Sequence, residues 1–164
     1  MNIKKYKIPI SILVVIFNEK NECLLLKRKD RKNFWQSVTG SIEENESPYE
    51  AAKREVEEET GINTKIFHIQ DWKMNNEYKI YSHWRDRYAP GITHNTEHIF
   101  GLEVPSDLNI KLEPREHTEY VWTEVDESEY SFFRKWPFRK SVHSYLIRQF
   151  EGLRYAASRH LAPM

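Results

Sequence analysis

Residues 47–61, SPYEAAKREVEEETG, define one element of this chain more tightly than any other stretch. Ser47 with Glu50 three positions later forms a capping box, and Pro48 takes the first helical position, where its missing N–H is no loss. Ala51, Ala52, Lys53, Arg54 and the glutamates are good helix formers, and Gly61 stands where a left-handed C-cap residue belongs. The pattern predicts a helix over Pro48–Thr60. At roughly 100° per residue, Glu55, Glu58 and Glu59 project from one face, beside an apolar stripe of Tyr49, Ala52 and Val56. Two carboxylates about 5 Å apart repel by roughly 3 kcal/mol at an effective dielectric of about 20, and by under about 1 kcal/mol in water. The cluster is therefore either a solvated acidic face, with Glu50–Arg54 and Lys53–Glu57 as i, i+4 pairs, or it holds a cation.

The rest of the chain bounds the setting of that helix. A length of 164 residues fits one domain with room for a core. Lys and Arg number 25 and so do Asp and Glu, so no global basic field favours nucleic acid or an anionic membrane as partner. The single cysteine, Cys23, allows no internal disulfide, fits a reducing compartment, and lies in an apolar strand pattern that places it in the core. Lys4, Lys5 and Lys7 before the apolar residues 8–17 imitate a secretory signal. The run ends in Asn18-Glu19-Lys20-Asn21 without a small-residue cleavage site, and it is too short to span a bilayer, so it reads as a buried strand of a cytoplasmic protein.

Residues 11–17 and 22–28 read as two strands of a hairpin joined by a polar turn, and a basic cluster of Arg28, Lys29, Arg31 and Lys32 precedes a short strand leading to Gly40. Beyond the helix, residues 62–69 have strand character, 71–77 read as a polar loop, and 78–85 alternate like a strand. Further strands are expected at 96–104 and 120–122, a short helix at 126–133, and a longer one opening at Pro137. This order of elements predicts an α/β sandwich with one mixed sheet between helices.

The segment from Gly40 onward also matches the Nudix box, GX5EX7REUXEEXGU with U aliphatic, at Gly40, Glu46, Arg54, Glu55, Val56, Glu58, Glu59, Gly61 and Ile62. The chain thus resembles the Nudix hydrolases, which cleave diphosphates linked to another moiety, and the resemblance implies the Nudix α/β/α fold over residues 1–150, with 151–164 as a C-terminal extension of the same unit. PISILVVI at 9–16, FWQSVTGS at 34–41, RYAPGIT at 87–93 and NTE at 95–97 carry the likeness further, to the bacterial dihydroneopterin triphosphate pyrophosphatases of folate biosynthesis, some of them known as dATP pyrophosphohydrolases.

That resemblance implies Mg²⁺-dependent hydrolysis of a small-molecule triphosphate, with Mn²⁺ as a substitute ion. Three helical carboxylates offer the hard oxygen ligands that Mg²⁺ requires. Glu55 and Glu59 are the expected first ligands, with Glu58 as a third ligand or water-positioning group, Glu116 as a further ligand from a late loop, and Gly40 contributing its carbonyl. Arg54 is expected to orient a carboxylate on its own helix. The general base is left open among Glu58, Glu116 and a metal-held water. Lys7, Arg28 and Thr39 match substrate contacts, as do Tyr78, Lys79, Ile80 and Tyr81, while Lys135 replaces a serine of the family. No histidine is expected as a ligand, since no zinc spacing is present. A nucleoside triphosphate such as dATP is the competing substrate, and a non-catalytic nucleotide-binding module the competing class. Oligomeric state is not legible.

Overall fold

The computed structural model describes residues 5–20 and 22–124. Within them, β1 (Ile10–Phe17), β2 (Glu22–Arg28), β3 (Trp35–Gln36) and β4 (Val38–Ser41) precede helix α1 (Pro48–Thr60). They are followed by β5 (Gln70–Lys79), a 3-10 helix (Ser82–Arg87), β6 (His94–Glu103) and β7 (His117–Glu124). The seven strands form one sheet along the path β3-β2-β1-β6-β5, with β4 pairing β1 and β7 pairing β2. β1 and β6 run parallel while the other pairs are antiparallel, giving the mixed sheet that the sequence predicts.

β1 is central and buried on both faces, which explains its unbroken apolar run. Ile12, Val14 and Ile16 pack with Leu24, Leu26, Val38, Phe100 and Leu102 beneath the helix residues Ala51, Ala52 and Val56. Leu13, Val15 and Phe17 face the other way, onto Cys23, Trp72 and Ile99. Alternation along one strand thus supplies two cores.

The helix has the bounds its capping signals predict. The Ser47 hydroxyl accepts from the Glu50 amide, the Glu50 carboxylate accepts from the Ser47 amide, and Gly61 caps the C-terminus at φ 68°. Its buried face differs from the expected stripe: Tyr49 is 42% exposed, and the row Ala51-Glu55-Glu59 lies beside Ala52-Val56-Thr60 on the sheet side. Two of the three clustered glutamates are therefore drawn inward.

The segment after the helix departs from expectation. Residues 62–69 are turns that insert Ile62 and Ile69 into the core while Ile66 stays 65% exposed; their spacing of four and three is not that of a strand. Residues 71–77, expected as loop, belong to β5, an edge strand paired to β6 through its backbone and mostly solvent-facing, so it carries no apolar alternation. The strand expected at 78–85 ends at Lys79 and gives way to the 3-10 turn. The helices expected at 126–133 and from Pro137, and residues 151–164, lie outside the described residues.

Candidate active site

One cleft of about 1350 Å³ opens between the turn after β4, the middle of α1, the loop after β2 and the 3-10 helix. Gly40, Arg54, Glu55 and Glu116 line its acidic part, and Lys7, Arg28, Arg31 and Arg87 supply cations to the same space. Thr39 and Tyr78 also line it, whereas Lys79, Ile80 and Tyr81 do not. Ile80 is buried, and Tyr81 packs edge-on against Trp84 at 5.5 Å. Lys135 lies outside the described residues.

Arg54 organises the carboxylates. Its Nε and Nη2 donate to the two oxygens of Glu46 at 2.8 and 2.9 Å, Nη1 donates to Glu55 Oε1 at 2.8 Å and reaches Glu58 Oε2 at 3.4 Å, and Nη2 also reaches the Ser41 carbonyl at 3.2 Å. A planar guanidinium with five donors can hold this set at once. Glu46 is thereby the anchor of Arg54, and the hydrogen bonds from Arg54 hold the Glu46 carboxyl below its ordinary range, as Glu46 and Glu55 raise the pKa of Arg54. Arg54 does not pair with Glu50, which is committed to the helix cap.

Glu55 lies against Gly40. A Cβ at position 40 would stand 2.0 Å from Glu55 Oε1, so only glycine admits the glutamate here. Burial pushes the Glu55 carboxyl up to about 7 despite the pull of Arg54. Glu59 is 2% exposed, and burial raises its pKa too, opposed by a hydrogen bond with His117, whose Nε2 lies 2.9 Å from Glu59 Oε2. Glu58 is the exposed member of the three, with 59% of its side chain open to solvent.

His117 is the residue that sequence reasoning missed. It is itself 2% exposed, and its Nδ1 is buried with no hydrogen-bond partner among the described residues. A register shift places it there. Lys27 pairs with Glu119 but Arg28 with His117, so β7 bulges at Thr118, and His117 beyond the bulge faces inward. Histidine spacing along the chain carries no sign of this, because the partner is 58 residues away. Glu59, Glu116 and His117 bring ligand atoms within 4.8 Å of one another.

These residues fit a divalent cation. The carboxyls of Glu55 and Glu59, held at raised pKa by burial, gain from a positive charge beside them, and Glu116 and His117 bring further ligand atoms within 4.8 Å of those of Glu59. The hydrogen bonds of Arg28 go to Asp30, at 2.6 and 2.7 Å, and they are the main cause of its raised pKa, to which the charges of Glu116 and Glu59 add. Lys7 Nζ donates to Ser41 Oγ at 3.3 Å, and the Thr39 hydroxyl accepts from Gln36 at 3.3 Å.

A mixed sheet carrying a glutamate helix beside a cleft that joins carboxylates to arginines defines the class, an α/β fold with a site suited to phosphate compounds. The chain belongs to the Nudix family: the NUDIX domain matches residues 7–146. It is 40% identical to the dihydroneopterin triphosphate diphosphatase of Escherichia coli K12 over 90% of this chain and 98% of that one. It is 38% identical to the enzyme of the same name from Haemophilus influenzae, over 76% and 79%. The solved structure of the E. coli dihydroneopterin triphosphate pyrophosphohydrolase superposes with a TM-score of 0.68 at 39% identity, covering 90% of this chain and 97% of that chain.

Proposed function

We propose that this chain hydrolyses dihydroneopterin triphosphate to dihydroneopterin monophosphate and pyrophosphate, with Mg²⁺ held by Glu55, Glu59 and Glu116. The observation that carries the reading is the union of Glu55 and Glu116 with Lys7, Arg28, Arg31 and Arg87 in one cleft of a chain of this family, with Glu59 bringing a carboxylate oxygen within 4.8 Å of a Glu116 oxygen. A triphosphate carries more negative charge than a single cation can balance, and the cleft offers Lys7, Arg28, Arg31 and Arg87 for the remainder.

A bound divalent ion supplies Lewis-acid polarisation of the phosphoryl group and lowers the pKa of water. The chain's own residues set the stage for that chemistry. Arg54 fixes Glu55 by one oxygen and leaves the other free for a ligand. His117 fixes the rotamer of Glu59 from below, as partners of ligating carboxylates do. Glu58 and Glu116 are the candidates to accept the proton of the attacking water, Glu116 lining the cleft and Glu58 standing exposed beside it.

Pyrophosphate release from dihydroneopterin triphosphate and from dATP, each with Mg²⁺, with Mn²⁺ and with chelator, tests the reading. We expect turnover that depends on the ion and a higher kcat/KM for the pterin. A large preference for dATP reverses the assignment of substrate, and turnover indifferent to chelator removes the metal from it.

A further inference from the structure

The cleft holds two aromatic side chains that the metal and phosphate chemistry leaves unused. Trp84, on the 3-10 helix, and Phe34, in the loop after β2, are about fifty residues apart and line the same cleft as Glu55 and Glu116. The guanidinium of Arg31 lies over both rings, with Cζ 5.3 Å from the Phe34 centroid and 4.9 Å from that of Trp84. Both distances fall inside the range of about 4.5–7 Å at which aromatic rings stack on one another. The Arg31 guanidinium thus occupies the space that a flat ring reaching both aromatics takes.

Arg31 is held there by the two rings and by the nearby charge of Asp30 rather than by an ion pair. Asp30, its neighbour, gives both oxygens to Arg28, and among the described residues no carboxylate forms an ion pair with Arg31. Trp84 is held firmly. Its amide donates to the Tyr81 carbonyl at 2.9 Å, and its ring meets Tyr81 at 5.5 Å and His83 at 4.9 Å, both edge-on. One wall of the site is thus braced, and Arg31 is the guanidinium that bridges it to Phe34, while the Arg87 guanidinium also lies over Trp84 with Cζ at 5.9 Å.

We propose that the space over Phe34 and Trp84 is the subsite for a flat fused heteroaromatic ring, that the ring displaces the Arg31 guanidinium, and that Arg31 then turns its charge to the triphosphate. This rests on the reading of the chain as a heterocyclic-triphosphate hydrolase and gives it the residues that recognise the ring. Stacking costs no directional hydrogen bond, so it accepts a pterin or a purine and leaves the choice between them to polar groups at the ring edge.

Three probes separate the parts of the proposal when titrated calorimetrically into the full chain: 7,8-dihydroneopterin and deoxyadenosine, which have rings and no phosphate, and inorganic tripolyphosphate, which has no ring. Trp84→Ala should weaken both ring probes about ten- to hundredfold and raise KM for the intact triphosphate in parallel, with a smaller change in kcat and in tripolyphosphate affinity. Trp84→Phe should retain most ring affinity, which separates loss of stacking from loss of fold. Arg31→Gln should act with opposite signs, weakening tripolyphosphate while leaving the ring probes bound at least as tightly as before. Ring affinity unmoved by Trp84→Ala overturns the subsite, and ring affinity lowered by Arg31→Gln overturns the displacement. Because ring binding is read without turnover, a chain that binds rings through Trp84 yet cleaves neither triphosphate refutes the proposed reaction and leaves the subsite standing.

Discussion

Glycine at position 40 and glutamate at 55 are two halves of one requirement. The backbone of β4 approaches α1 so closely that the Glu55 side chain fills the space where a Cβ would be, and Arg54 then pins one carboxylate oxygen. Gly40→Ala forces either the glutamate or the helix to move by more than an ångström. We expect this variant to lose at least about tenfold in kcat/KM, as misplaced catalytic groups do, and to need more Mg²⁺ for half-maximal activity, while circular dichroism shows the fold intact. Wild-type Mg²⁺ dependence in Gly40→Ala would show that the glycine serves only the packing of β4 against α1. The motif marks both positions in the sequence, but the reason for the pairing is visible only in the packing. The reverse holds at His117. Nothing in the order of residues says that it meets Glu59, because the contact depends on a bulge in β7.

Among the elements, those whose local signals and tertiary role agree were legible and the others were not. Helix α1 carries its cap, its proline and its terminal glycine in the sequence, and its bounds follow from them. β1 declares itself by burial on two faces. β5 does neither, since an edge strand with one buried side chain, Trp72, owes its conformation to backbone pairing with β6 and can be almost wholly polar. The turn at 62–69 imitates a strand because core contacts at Ile62 and Ile69 need apolar residues whatever the backbone does. Where the cap is the signal, it is also testable. Ser47→Ala removes the acceptor for the Glu50 amide and should lower unfolding free energy by about 1 kcal/mol, a fall of roughly 2–4 °C in Tm for a chain of this size. A Tm unchanged by Ser47→Ala would mean that packing of α1 on the sheet alone fixes its first turn.

For the molecule as a whole, the site sets a direction for the dependence of stability on pH. Burial raises the carboxyls of Glu55, to about 7, and of Glu59 above their ordinary value of 4.5, so between those limits the folded chain binds more protons than the unfolded one. Unfolding free energy then falls as pH rises through that window, by on the order of 3 kcal/mol from Glu55 alone. The carboxyls held low, among them Glu46, Asp30 and Asp71, act with the opposite sign, but their contribution is lost only as pH falls below the unfolded value and is constant from about pH 5 upward. With chelator present, Tm should therefore decline from pH 5 to pH 8. A divalent ion competes with the protons on the same oxygens, so the rise in Tm on adding saturating Mg²⁺ should grow over the same interval. Glu55→Gln removes the titrating group and should flatten the chelator curve. Melting curves for the wild type and this variant at several pH values decide the matter: a wild-type Tm that climbs with pH in chelator, or a Mg²⁺ shift that shrinks, would show that the helix carboxylates are solvated charges and that the metal, if one binds, is held elsewhere.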